Sequence, residues 1–168
     1  MPHGATWADI SPLWTVFLSY CLSFVYVGIF WNNHHHLLHS ASSVTGTILW
    51  ANLHLLFWLS LMPFATGWMG ENHFAALPTA VYGTVLLMSS VAYRLLQQRI
   101  IASQGESSEL ALALGKDWKG KLPPLLYLVA IVSAFWLPQV AHCVYVGVAM
   151  MWFIPDRRIE RTISKDRP

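Results

Sequence analysis

Apolar and polar residues fall in long blocks along this chain, not at a helical or strand period. Residues 13–31, 48–69 and 77–96 are apolar around their whole circumference, and 122–154 form one longer run. Runs of this length without a polar face predict helices buried on all sides or solvated by lipid. At ~1.5 Å per residue, each of the first three covers a hydrocarbon core of ~30 Å. Pro138 interrupts the last run. Proline has no N–H and disfavours helix in the residue before it, so the run reads as a hairpin of 122–137 and 139–154. Pro123 and Pro124 suit the start of its first arm. Barrel strands would instead show ~10-residue segments of alternating polarity. The expected fold class is all-α: a polytopic transmembrane helical bundle with five predicted spans, in one domain over 1–168.

Composition agrees with that picture. Hydrophobic residues make up 55% and charged residues 11% of the chain, where an ordinary soluble domain has about 25% charged. Residues 10–70, 72–93 and 122–155 carry no Asp, Glu, Lys or Arg. A water-soluble fold needs charge on the outer faces of such segments, so the expected solvent is the lipid bilayer. Tryptophans near the run ends (Trp14, Trp31, Trp50, Trp68, Trp136, Trp152) suit interfacial belts. The net charge of +2 does not suggest nucleic acid as a partner. Cys21 and Cys143 sit inside apolar runs and read as packing residues.

The placement of charge sets an expected topology. Arg94, Arg99, Lys116, Lys119 and Lys121 cluster in or beside the polar loop 97–121, which also holds a short amphipathic piece, "SELALAL". Arg157, Arg158, Arg161, Lys165 and Arg167 form a basic tail within 155–168. The positive-inside rule puts both regions, and with them the C-terminus, in the cytoplasm. Counting back places the Glu71 loop outside, the "NNHHHLLH" connection inside and the N-terminus outside. One more helix before residue 1 would put both ends inside.

The densest chemistry lies in "FWNNHHHLLH", residues 30–39. On a helix His35 and His39 stand at i, i+4, and His36 and His39 at i, i+3, a spacing that metal ligands use. Histidine also titrates near neutral pH, which suits a proton relay or sensor. The third reading is an interhelical hydrogen-bond network, because polar groups in lipid find partners inside the bundle. His54, His73 and His142 stand alone downstream, without a carboxylate beside them in the apolar segments. Pro63 predicts a kink that frees a carbonyl near Leu59, with Ser60 or Thr66 to compensate and a gating hinge as the functional reading. Glu71 and Asn72 read as a helix cap or as groups at an outer mouth that attract cations. No catalytic constellation and no cofactor motif is present, so the chain reads as a non-enzyme.

Four stretches carry a resemblance to a known family. "LSFVYVGIFWNNHHHLLH", "LWANLHLLFWLSLMPFATGWMGEN", "ALGKDWKGKLPPLLY" and "MWFIPDRRIE" resemble bacterial relatives of transmembrane protein 175, the endosomal and lysosomal potassium channel family. The resemblance implies a six-span unit, homotetrameric in bacteria, that passes potassium ions through a leak-type pore in the plasma membrane. It implies ion filtering at a hydrophobic constriction of the unit's first helix, and no "TVGYG" carbonyl filter occurs here. That first helix carries an Arg, then Phe-Ser, then Asp. No such signature occurs in this chain, so 13–31 is expected to match the second helix of a truncated unit. By the same resemblance Trp31, Asn32 and His35 contact the pore helix, with His36, His39, Asn52 and His54 in the surrounding network. A metal-dependent membrane enzyme built on the histidines and a non-conducting accessory subunit are the alternatives.

Overall fold

A computed structural model describes residues 13–105, 110, 111 and 118–153 of the chain. The basic tail 155–168 and most of "SELALAL" lie outside the described residues. Every regular element among the described residues is α-helical. We number them α1 (Trp14–His39), α2 (Gly46–Ser60), α3 (Met62–Glu71), α4 (Ala76–Gln104), α5 (Trp118–Ser133) and α6 (Pro138–Phe153).

Local chemistry explains most of the boundaries. Thr45 is the N-cap of α2, where its hydroxyl accepts the Ile48 N–H at 3.4 Å. Leu61 separates α2 from α3, and Pro63 stands in the first turn of α3. Together α2 and α3 form one broken helical stretch, Gly46–Glu71. That stretch and Ala76–Gln104 are, among the described residues, the two helices long and apolar enough to cross a membrane. The reversal between α3 and α4 holds two successive non-glycine residues at positive φ, His73 (51°) and Phe74 (58°). Gly105 ends α4 at φ 88°, where a side chain would be strained. Pro138 opens α6 after the turn 134–137.

Three boundaries differ from the sequence expectation. Helix α4 runs on to Gln104, eight residues into the expected loop 97–121. Helix α1 continues through the histidines to His39, so "NNHHHLLH" is the last two turns of a helix and not a connection. A helix that has nucleated gains one hydrogen bond per added residue, and polar side chains do not stop it. Helix α5 begins at Trp118, which places Pro123 and Pro124 inside it and not at its start. Each removes one i to i−4 backbone donor from that turn.

Helix α4 runs through the centre and packs against α1, α2, α3, α5 and α6. Neighbours come close to it at Gly83, where a Cβ would collide with the Tyr145 hydroxyl and lie 2.9 Å from Ile131 Cγ1. At the end of the bundle near the α3–α4 turn, the core is a cluster of aromatic rings. Tyr82 meets Tyr145 edge to face with centroids 5.3 Å apart, and Tyr26 meets Tyr82 at 6.0 Å. The Tyr26 hydroxyl donates to the Tyr145 carbonyl, and the Tyr145 hydroxyl donates to the Thr79 carbonyl at 3.0 Å. These bonds tie α1 to α6 and α6 to α4.

The surface is the reverse of a soluble protein's. Trp136, Trp50, Phe24 and Phe64 are each at least 69% exposed, whereas Ser19, Ser23, Asn33, Thr66, Ser89 and Gln97 are buried. Apolar area on this scale is unstable against water and stable against lipid. Trp68 and Trp152 are half-buried, so they pack as well as border the surface. Cys21 and Cys143 are free thiols.

Candidate functional site

The helical phase of α1 sorts the polar cluster onto two faces. Tyr26, Asn33 and Leu37 are buried, while Phe24, Trp31, His35 and His39 are exposed. Trp31, His35 and His39 follow one another at i, i+4 and stack as a ladder. Ring centroids are 5.5 Å apart for Trp31 and His35, and 6.2 Å for His35 and His39 with planes only 9° apart. Parallel stacked imidazoles do not converge on a common point. Among the described residues no three His, Cys, Asp or Glu side chains gather closely enough to hold a metal ion.

The inward face makes the interhelical bonds, and it uses residues next to those the sequence singles out. His34 Nε2 pairs with Asn52 Oδ1, joining α1 to α2. The Tyr93 hydroxyl donates to the Asn33 carbonyl at 3.3 Å, joining α4 to α1. Gln104 Nε2 donates to the Ser40 carbonyl at 2.7 Å, securing the end of α1. Asn33 Nδ2 returns to the Ile29 carbonyl at 2.8 Å, one turn back. His36 is half-buried and meets the His35 ring at an angle of 68°. Asn32 is half-buried and makes no side-chain hydrogen bond among the described residues. His54 stays within α2 and accepts the Trp58 indole N–H at 3.0 Å.

Of the expected network, then, Asn52 is held in a bond between helices. Trp31, His35 and His39 form a bare ladder, and His54 is satisfied locally. His34, Asn33, Tyr93 and Gln104 were not among the expected residues. Tyr93, Gln97, Ile100 and Gln104 recur at i, i+4, i+7 and i+11 on α4. That period was the available signal for two of them.

At the break, the freed hydroxyls do not reach Leu59. Ser60 donates to the Phe57 carbonyl at 2.7 Å and Thr66 to the Met62 carbonyl at 2.6 Å. Pro63 is exposed beside the break. At the opposite end of α3, Asn72 donates back to the Trp68 carbonyl at 2.8 Å, so it closes α3 and does not cap α4. Glu71 is exposed there.

An all-helical bundle with an apolar exterior and polar bonds between its helices belongs to the class of integral membrane proteins. Comparison with known proteins narrows the class. Residues 1–63 match the family described as "Endosomal/lysosomal potassium channel TMEM175". A potassium channel of Chryseobacterium sp. (strain P1-3) is 48% identical over 166 residues, which cover 99% of this chain and 86% of that protein. A potassium channel of Streptomyces collinus (strain DSM 40733 / Tue 365) is 26% identical over 149 residues, 78% of this chain and 69% of its own. A potassium channel of Chamaesiphon minutus (strain ATCC 27169 / PCC 6605) is 26% identical over 137 residues, 76% of this chain and 66% of its own. No solved structure matches. The chain belongs to the TMEM175 potassium channel family.

Proposed function

We propose that this chain is a potassium channel subunit that conducts passively and performs no catalysis. The observation that carries the reading is the 48% identity, across 99% of the chain, to a protein named as a potassium channel. The bare ladder of α1 supports it. Trp31, His35 and His39 expose polar and aromatic edges that lipid solvates poorly. Such a face belongs against the permeation path or the helix that lines it, inside a homotetramer. By the family resemblance, selection among ions falls to side chains at a constriction. The two lysine- and arginine-rich regions, 94–121 and 155–168, face the cytoplasm of a bacterial cell. Under this reading Pro63 and the break at Leu61 are the point at which α3 bends relative to α2.

Potassium flux in liposomes tests the proposal. Protein made from the full reading frame is reconstituted, and efflux is followed down a potassium gradient and then down a sodium gradient. The expected result is potassium flux above that of empty liposomes and above the sodium flux. Potassium flux equal to that of empty liposomes would sink the channel reading.

A further inference from the structure

Arg94 is the first positive charge in the chain, and it follows a charge-free run at 72–93. It stands ~27 Å along α4 from Ala76 at ~1.5 Å per residue, near the far face of a ~30 Å hydrocarbon core. Lipid phosphates lie just beyond that depth. The side chain is half-buried and has no hydrogen-bond or ion-pair partner among the described residues. Among the described residues a guanidinium held in that position meets no counter-charge.

Arg94 lines a cavity between α1, α4, α5 and α6, with Tyr93, Gln97, Gly120, Tyr127 and Trp152. The cavity measures about 30 Å³. It therefore admits one small polar group and not a whole molecule. Tyr93 and Trp152 wall it edge to face, 5.9 Å apart. Lys121, next to Gly120 in the chain, is exposed. Beyond these residues the surface is apolar, with Leu125, Met150 and Phe153 at least 62% exposed.

The geometry points to a binding site for the phosphate of an anionic phospholipid, with Arg94 as its bidentate ligand. A guanidinium matches a phosphodiester through two parallel N–H···O bonds. The apolar surfaces of α5 and α6 accept the acyl chains, which a soluble phosphate does not have. Basic pockets between spans on the cytoplasmic side are where anionic headgroups collect. The inference rests on the orientation proposed above and not on conduction.

Lipid retention tests it. Wild-type protein is reconstituted in nanodiscs of phosphatidylcholine with phosphatidylglycerol, extracted, and its retained lipids counted by native mass spectrometry. Arg94→Gln is expected to lower retained phosphatidylglycerol about tenfold, the loss of a charge-assisted bond. Arg99→Gln, at an exposed position of the same helix, is expected to retain the wild-type amount. Ala149 of α6 also lines the cavity; Ala149→Leu fills it while keeping the charge, and is expected to release the lipid too. Equal retention by wild type and Arg94→Gln would overturn the site, as would equal losses in Arg94→Gln and Arg99→Gln. Displacement by millimolar glycerol 3-phosphate would overturn the lipid assignment in favour of a soluble phosphate ester. Helix content by circular dichroism confirms that each variant is folded. Potassium flux from the same preparations is scored separately, so a variant that conducts but holds no lipid refutes neither reading through the other.

Discussion

Helices α1 and α4 are both longer than a bilayer core requires, yet they treat their surfaces in opposite ways. Helix α4 is buried along most of its length, at Thr79, Tyr82, Gly83, Leu86, Ser89 and Leu96 among others. Its small residues let neighbours approach, and Thr84 and Ser89 donate to carbonyls one turn back, at 2.9 and 2.8 Å. Helix α1 packs along one face and leaves Phe17, Tyr20, Phe24, Trp31, His35 and His39 bare. Most of the packing along α4 is supplied by the described residues, with Arg94 and the Tyr82 hydroxyl as exceptions. The bare face of α1 is shaped for something they do not include. Substitutions on α4 should therefore act on stability, and those on the bare face of α1 on function.

The sharpest contrast is between two glycines. Gly83→Leu is expected to destabilise the protein by about 3 kcal/mol or more, because the side chain meets Tyr145 and Ile131. Gly28→Leu on the exposed face of α1 meets nothing within 4 Å. It should leave stability unchanged or raise it by up to about 1 kcal/mol, because leucine is the better helix former. Thermal unfolding in detergent measures both, and equal losses would break the contrast. Next come Trp31→Ala and His35→Ala. Each should reduce potassium flux markedly while stability stays within ~0.5 kcal/mol of wild type. A large loss of stability without a change in flux would turn the ladder into a packing feature.

Smaller effects sharpen the inward face. Asn52→Ala leaves His34 without its partner, at a cost of about 1 kcal/mol. A double-mutant cycle with His34→Ala should return a coupling of about 0.6 kcal/mol, the usual size for such bonds in a membrane. A coupling of zero would show that the two side chains do not pair. The smallest effect is expected at Tyr82, whose hydroxyl is buried and has no hydrogen-bond partner among the described residues. Tyr82→Phe should leave stability unchanged or raise it slightly, since it removes a desolvated polar group without breaking a bond. A clear loss would reveal a partner for that hydroxyl.

The helical class was legible from the charge-free runs, because lipid tolerates few charges and demands satisfied backbones. Pro138 marked the last hairpin for a local reason, its missing N–H. The faces of α1 were harder to read. His34, His35 and His36 are adjacent in sequence, and only the packing of Tyr26, Asn33 and Leu37 decides which of them turns inward. One residue of helical phase is 100°, enough to move the contact with Asn52 from His35 to His34. The partners Tyr93 and Gln104 lie on a distant helix, and sequence distance says nothing about such pairings. The start of α5 also escaped. Prolines mark where a helix is permitted to begin, but they did not prevent one from beginning a turn and a half earlier.

The tight reversal at His73 and Phe74 has a consequence for biosynthesis. Its left-handed backbone and the Phe74 N–H bond to the Met69 carbonyl at 2.9 Å leave almost no chain between α3 and α4. The stretches Gly46–Glu71 and Ala76–Gln104 would then leave the translocon as one preformed hairpin and not as two separate insertions. The turn between them contains no lysine or arginine. Within residues 1–104, the positive charges that could orient this hairpin, Arg94 and Arg99, stand only on the second of its two arms.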